Sequence, residues 1–427
     1  MSGNPAPSAP RILIVADNAS ALFGGEAILP LKYFTLLARR GRDVHLITHA
    51  RNRDALNAAL PDLTDRITYS PDTKIHRVLW RIGARFPGVI RDHLFGNLMG
   101  FVTGWQQRKL ARAMVRAGRV DLVHQPIPVS PAAPSMLYDL GVPVVIGPMN
   151  GGMNYPPDYQ DFEGRAAHWF VSLARPLAGL VNRLIPGKRR AAMLLVANAR
   201  TAAALPLRHP QVIELVENAV DFDLWGNTPA AASSGNTFRL VFMGRLQALK
   251  GLAQTIDALA LARERLPDIT LSLDILGDGP EMQALQAQVA RLGLDDAVRF
   301  PGFLPQKDCA RYLANADALI LASLRECGGA VVLEAMAMGL AVIASDWGGP
   351  ADYIDQSCGL LVPPSPRAGF VDRLAQAIAT LATNPELTRA LGQAGAVRAR
   401  DHFDWNGKID RIEALYRQAL PPRGTPL

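Results

Sequence analysis

Cysteine is scarce in this chain. Three occur, Cys309, Cys327 and Cys358, far apart and without a CxxC spacing, which argues for a reducing compartment and against a structural zinc site. Cys327 stands beside Glu326, but no nearby base supports a nucleophile there. No uninterrupted apolar run approaches the roughly 18 residues that a bilayer-spanning helix needs. The segment Met1 to Pro10 is small, polar and Pro-rich, with no charged start followed by an apolar core, so it reads as a tail and not a signal peptide. A cytoplasmic protein is the expectation. GxGxxG is also missing; the first Gly-rich loop offers only Gly24-Gly25.

Acid is nearly absent from one long stretch. Between Lys74 and Arg119 ten cations, among them Arg77, Arg81, Arg108 and Lys109, face the single acid Asp92. Trp80, Phe86, Leu94, Phe95, Phe101 and Trp105 are interleaved with them, and a second such patch runs from Arg165 through Trp169 and Phe170 to Arg190. This pattern suits an anionic membrane surface; the competing reading is two solvated helices whose aromatics are core. The whole chain carries a formal charge of +7. No recognised nucleic-acid motif accompanies the charge, so no nucleic-acid partner is expected.

What is present is an alternation. With 427 residues, 49% hydrophobic and 19% charged, two domains are the prior. Arg11 to Ala16 is a continuous apolar run, followed by a small-residue loop to Gly25, an amphipathic segment from Ala27 to Arg40 and a second run from Val44 to Thr48. Strand, glycine loop, helix, strand is a βαβ unit. Shorter strands read at 122–124, 142–146 and 193–197. Linker chemistry fills 227–236, and the pattern then restarts, with strands at 238–242, 271–276, 298–300, 318–321 and 341–344 and helices at 252–265, 282–292, 309–315 and 331–338. Two doubly wound α/β domains follow, at 11–225 and 237–403, with a ligand cleft between them expected at the carboxyl ends of the strands. A terminal helix spans 404–420, before a loose tail at 421–427.

Two carboxylates bracket the most informative segment, Glu326-Cys327-Gly328-Gly329-Ala330-Val331-Val332-Leu333-Glu334. Its glycines allow close backbone approach, and a helix start offers free N–H groups to an anion. An acid further into that helix can accept from a pair of hydroxyls. Upstream, Arg245 ends one strand and Lys250-Gly251 precedes a helix. A guanidinium fork and an ammonium point charge at such positions can clamp a diphosphate.

Read in order, Gly244-Arg245, Lys250-Gly251, Leu276-Gly277-Asp278-Gly279-Pro280, Phe300-Pro301-Gly302-Phe303 and Ser323 to Gly339 resemble the second domain of the retaining glycosyltransferases of family 4, also called group 1, which have the GT-B fold. The likeness is strong over 238–363; the first domain resembles the family in architecture and in Gly24-Gly25. It implies a two-domain Rossmann-like fold around a central cleft, with the terminal helix returning to the first domain. It also implies transfer of a sugar from a nucleotide diphosphate sugar, a co-substrate, to the hydroxyl of a saccharide or lipid-linked saccharide, with no metal and no cofactor. By the same likeness Arg245 and Lys250 hold the diphosphate, Glu326 contacts the donor sugar and Glu334 binds the ribose. Gly328, Gly329, Ala330 and Val331 present backbone N–H groups, Phe303 and Leu304 hold the base, and Gly24 and Gly25 face the phosphates.

Two departures stand out. The family commonly reads Glu-Gly-Phe-Gly where this chain has Glu326-Cys327-Gly328-Gly329, and its His-x-His becomes His124-Gln125-Pro126. His124 is the candidate for the remaining histidine role at the reacting centre, and Asn150, in Gly147 to Gly152, for a donor on the acceptor side. A phosphorylase or epimerase on the same scaffold, or a non-catalytic sugar-nucleotide-binding subunit, remains open at this point.

Overall fold

The structure is a computed structural model; it describes residues 9–20, 25–86, 88, 91, 95–163, 177–226 and 236–421. The expected linker, apart from Asn236, lies outside these residues, as do Gly24 and residues 165–176 of the second basic patch.

The chain forms two compact units. The first holds residues up to Gly152, Ala166–Glu217 and Ile409–Leu427; the second holds Met153–Arg165 and Asn218–Lys408. Residues 153–165, read from sequence as part of the first domain, thus cluster with the second, and the chain end from Ile409 clusters with the first.

The first unit is built on seven parallel strands in the order β3-β2-β1-β4-β5-β6-β7. These are β1 Ile12–Val15, β2 Val44–His49, β3 Ile67–Ser70, β4 Leu122–Gln125, β5 Val144–Met149, β6 Met193–Val196 and β7 Val212–Glu214. The apolar runs become strands because both faces are covered: every residue of β1, β5 and β6 is buried, as parallel crossovers require. The short β3 and β7 escape sequence reading because ITYS and VIE are too brief and too polar to stand out. Near the chain end, the Trp405–Ala419 helix pairs its Glu413 with Arg42, and Asp410 lies 2.5 Å from Arg40.

The second unit is a six-stranded parallel sheet, order β10-β9-β8-β11-β12-β13. Its strands are β8 Thr237–Met243, β9 Thr270–Leu276, β10 Val298–Gly302, β11 Ala318–Leu321, β12 Ala341–Ser345 and β13 Leu360–Val362. Helices alternate with them: Leu252–Arg265, Met282–Arg291, Gln306–Ala314 and Ala330–Ala337. Two further helices, Phe370–Ala382 and Pro385–Phe403, were not read from the sequence. The doubly wound α/β expectation holds for both sheets, whose order reverses direction next to β1 and β8.

Candidate active site

In the second unit the loops after three strands carry the predicted residues. After β8 comes Arg245, exposed and in no ion pair among the described residues. The chain then turns through Gly251, whose φ of +68° suits glycine and where a Cβ would collide with the Ala322 carbonyl. That approach is held by Leu324 N–H donating to Leu249 C=O at 2.8 Å. It brings Lys250 against the loop after β11, where its ammonium donates to the carboxylate of Glu326. The two side chains are only 17% and 15% exposed, so this is a sheltered pair, and removing either partner strands the other charge. Glu326 also accepts from Gly349 N–H at 2.8 Å through its backbone carbonyl.

The Ala330–Ala337 helix begins at Gly329, which is left-handed at φ +89°, and no side chain caps it. Its first amides remain available to an anion, the arrangement an N-terminus offers phosphates. Glu334 follows one turn inside. Its side chain is partly exposed, yet its carboxyl meets no donor among the described residues, and burial pushes its pKa up to about 7. The neighbouring Cys309 thiol is pushed up to about 11, by burial first and then by the Glu334 charge. A desolvated carboxyl without a partner has the most to gain from ligand hydroxyls. Phe303, after β10, is 81% exposed, while Leu304 is half-buried.

The first unit treats its predicted residues differently. Gly24 is outside the described residues. Gly25 opens the Gly25–Arg39 helix and is exposed, and a Cβ there would meet nothing. His124 is fully buried, with Nε2 donating to Gly147 C=O at 2.6 Å and Nδ1 accepting from the Tyr416 hydroxyl at 2.6 Å. The rings of Tyr33 and Tyr416 pack edge-on against it at 4.8 and 5.5 Å. A ring with no exposed surface and both nitrogens bonded has nothing left for a substrate, so the catalytic role expected of His124 is corrected to a packing role. Asn150 is likewise buried, its amide donating to Glu217 at 2.6 Å and its oxygen accepting from Thr201 at 3.3 Å. It holds a polar network together, where a substrate donor was expected.

Sequence reading missed two groups. Gly348-Gly349, after β12, lie against Glu326 and Gly328, leaving no room for side chains there; the signal was a glycine pair at a strand end. In the first unit a cavity of about 530 Å³ lies beyond β1, β2 and β3, lined among others by Asp17, His49, Arg51 and Asp72. Asp17 and His49 stand where two recognised strands end, and only the unread β3 hid the third side.

With this geometry in place, residues 228–398 match the family described as Glycosyl transferases group 1. The D-inositol 3-phosphate glycosyltransferase of Segniliparus rotundus is 28% identical over 418 residues, covering 93% of this chain and 85% of that protein. Residues 228–398 thus form a group 1 glycosyltransferase domain. Another similar protein of the same class is the 2-deoxystreptamine glucosyltransferase of Streptomyces kanamyceticus, 30% identical over 58% of this chain and 65% of its own length. Among solved structures, Anabaena Alr3699/HepE in complex with UDP aligns with a TM-score of 0.66 over 96% of this chain and 100% of that one, at 18% identity, a likeness that establishes the GT-B fold alone. The matched residues include Arg245, Lys250, Glu326 and Glu334, all in the second unit.

Proposed function

We propose that this glycosyltransferase moves a sugar from a nucleotide diphosphate sugar to an acceptor hydroxyl with retention of configuration, using no metal or cofactor. The observation that supports this most directly is the Lys250–Glu326 pair beside the uncapped Ala330–Ala337 helix. In the unliganded chain each charge neutralises the other. A donor diphosphate competes for Lys250, joined by Arg245 and the helix amides, and frees Glu326 to accept from hydroxyls of the transferred sugar. Glu334 then takes the ribose hydroxyls, and Phe303 and Leu304 border the base. As the anomeric bond breaks, charge grows on the leaving diphosphate, where Lys250 and Arg245 stabilise it. Positioning of the acceptor supplies the rest. No carboxylate is required as a nucleophile, and the leaving phosphate can take the acceptor's proton. UDP-type donors are the first to test, since UDP occupies the Anabaena protein of like fold. A panel of nucleotide sugars, scored for donor hydrolysis and thermal stabilisation, tests the proposal; a chain that neither binds nor turns over any of them defeats it. The same panel separates the epimerase and binding-subunit readings, which the family match does not favour.

The acceptor we place at a membrane surface, as a lipid-linked saccharide in envelope or exopolysaccharide synthesis, with the enzyme peripheral on the cytoplasmic face. No helix among the described residues is long and apolar enough to cross a membrane. Support comes from exposed aromatics in the basic stretch: Trp80 is 62% and Trp105 49% exposed, with Lys109 4.0 Å over the Trp105 ring. The core reading fails for these residues, though Phe95 is buried. Sedimentation with anionic vesicles across a salt series tests it; absence of binding at low salt removes the membrane from the proposal.

A further inference from the structure

The first unit's cavity has a chemistry that the donor reaction does not use. It opens beyond the carboxyl ends of β1, β2 and β3, where a doubly wound sheet places its ligands. Its volume of about 530 Å³ suits a small molecule. The Lys74–Gly83 helix supplies one wall. Thr73 caps that helix and His76 completes the capping box, which fixes the direction in which Arg77, Trp80 and Arg81 leave the backbone. Arg77 and Arg81 lie one turn apart, both are exposed, and neither forms an ion pair among the described residues. Arg51 enters from the loop after β2, steadied by Asn18 at 2.8 Å. Trp80, exposed on the same helix, adds an apolar ring to the lining.

A metal is the first competitor, because ligand atoms of His49, Asp72 and His76 lie within 4.8 Å of one another. The hydrogen bonds argue against it. His49 Nδ1 accepts from Arg51 N–H at 3.2 Å. Thr103 donates its hydroxyl to Met99 C=O at 3.0 Å, so it accepts from His76 Nε2 at 2.9 Å. His76 Nδ1 in turn accepts from Thr73 N–H at 3.2 Å. The lone pairs a metal needs at His76 and at His49 Nδ1 are already engaged.

Three guanidinium groups around one cavity are a fork for phosphate oxygens. The carboxyls of Asp17 and Asp72, in the same lining, suit hydroxyl donors. We propose that this cavity binds a phosphorylated polyol or saccharide, with the phosphate on Arg51, Arg77 and Arg81, a ring face on Trp80 and hydroxyls on Asp17 and Asp72. This assigns an anionic acceptor to the enzyme and rests on the transferase reading above. The phosphate belongs either to a free sugar phosphate or to a lipid-linked one.

The test uses the full chain and measures binding, not turnover. Glucose 1-phosphate and inorganic phosphate are titrated by thermal shift, with glucose as the uncharged control. The expected result is stabilisation by glucose 1-phosphate and not by glucose. Arg77→Gln/Arg81→Gln should weaken it by roughly tenfold or more. Because both arginines are exposed, this variant is expected to keep the wild-type melting temperature without ligand; Trp80→Ala, which adds no charge change, gives an independent loss of affinity for glucose 1-phosphate. Phosphatidylcholine vesicles with and without phosphatidic acid form a second arm. Binding to the acidic vesicles that is lost in the double variant assigns the phosphate to a lipid headgroup; binding of the soluble phosphate alone assigns it to a free acceptor. The proposal is overturned if no phosphate compound stabilises the chain, if the double variant binds as the wild type does, or if zinc alone stabilises it where phosphate does not. A parallel UDP titration separates the two readings: failure of UDP to bind strikes the donor site in the second unit and leaves the result at the arginines standing.

Discussion

The two sheets present polar residues at their strand ends in opposite ways. In the second unit Arg245, Lys250, Glu326 and Glu334 sit on loops or a helix start, partly open to solvent, in contacts that a ligand can replace. In the first unit His124 and Asn150, in and after β4 and β5, are sealed inside and satisfied by Gly147, Tyr416, Glu217 and Thr201. Similar positions in similar sheets are thus left open to a ligand in one and used for cohesion in the other. Hydrogen-bond saturation together with burial separates the two uses; position at a strand end alone does not.

The sharpest way to break this comparison is at Lys250. Lys250→Ala removes a charge from the leaving diphosphate and leaves Glu326 without its partner; turnover with the preferred donor should fall on the order of 10²–10³-fold, while the circular dichroism spectrum keeps its αβ shape. Unchanged turnover would place charge neutralisation elsewhere. Arg245→Ala should act in the same direction, with no internal ion pair to lose.

Glu334→Ala comes next. Loss of an acceptor for two hydroxyls should weaken UDP binding by about 10–100-fold, read by calorimetry. If affinity holds, the ribose role belongs to another residue.

The pH dependence at Glu334 is smaller. Its folded pKa of about 7 stands above the ordinary 4.5, so ionisation is harder in the folded chain than in the unfolded one. Stability is therefore full below about pH 4.5 and declines as pH rises to 7. Glu334→Gln should abolish this part of the decline, gaining about 2 kcal/mol over wild type at pH 8 once the shift is discounted for the partial exposure of the side chain. Denaturant melts of both proteins at pH 5 and pH 8 check the sign; equal differences at the two values would mean that the carboxyl is not desolvated.

On the other side of the comparison, Tyr416→Phe leaves His124 Nδ1 without its donor and should cost about 1–2 kcal/mol of stability. Turnover per folded molecule should stay within a few-fold of wild type. A large kcat loss with intact stability would falsify the packing role and return His124 to the reaction.

Most strands, and the candidate donor-side segment, were legible because their signals are local. The apolar runs of β1, β8 and β11 are short and continuous, the Leu252–Arg265 helix was read to the residue, and the motif from Glu326 to Glu334 is nine residues of loop and helix start. The short polar strands β3 and β7 were not legible, and losing β3 hid the cavity beyond it. Trp80, Arg77 and Arg81 stood out as a basic, aromatic stretch, but sequence could not say that a wall with Asp17 and His49 faced them.

Sequence by itself determined the class of the fold and singled out the candidate donor-side groups, since strand periodicity, glycine turns and motif spacing act over a few residues. Tertiary structure alone decided which polar groups are free. Tyr416 reaches His124 across 292 residues of chain, and Lys250 meets Glu326 across 76. Desolvation and hydrogen-bond saturation depend on neighbours that folding brings from such distances, so a polar residue near a strand end becomes a buried fastening in one sheet and stays open to a ligand in the other.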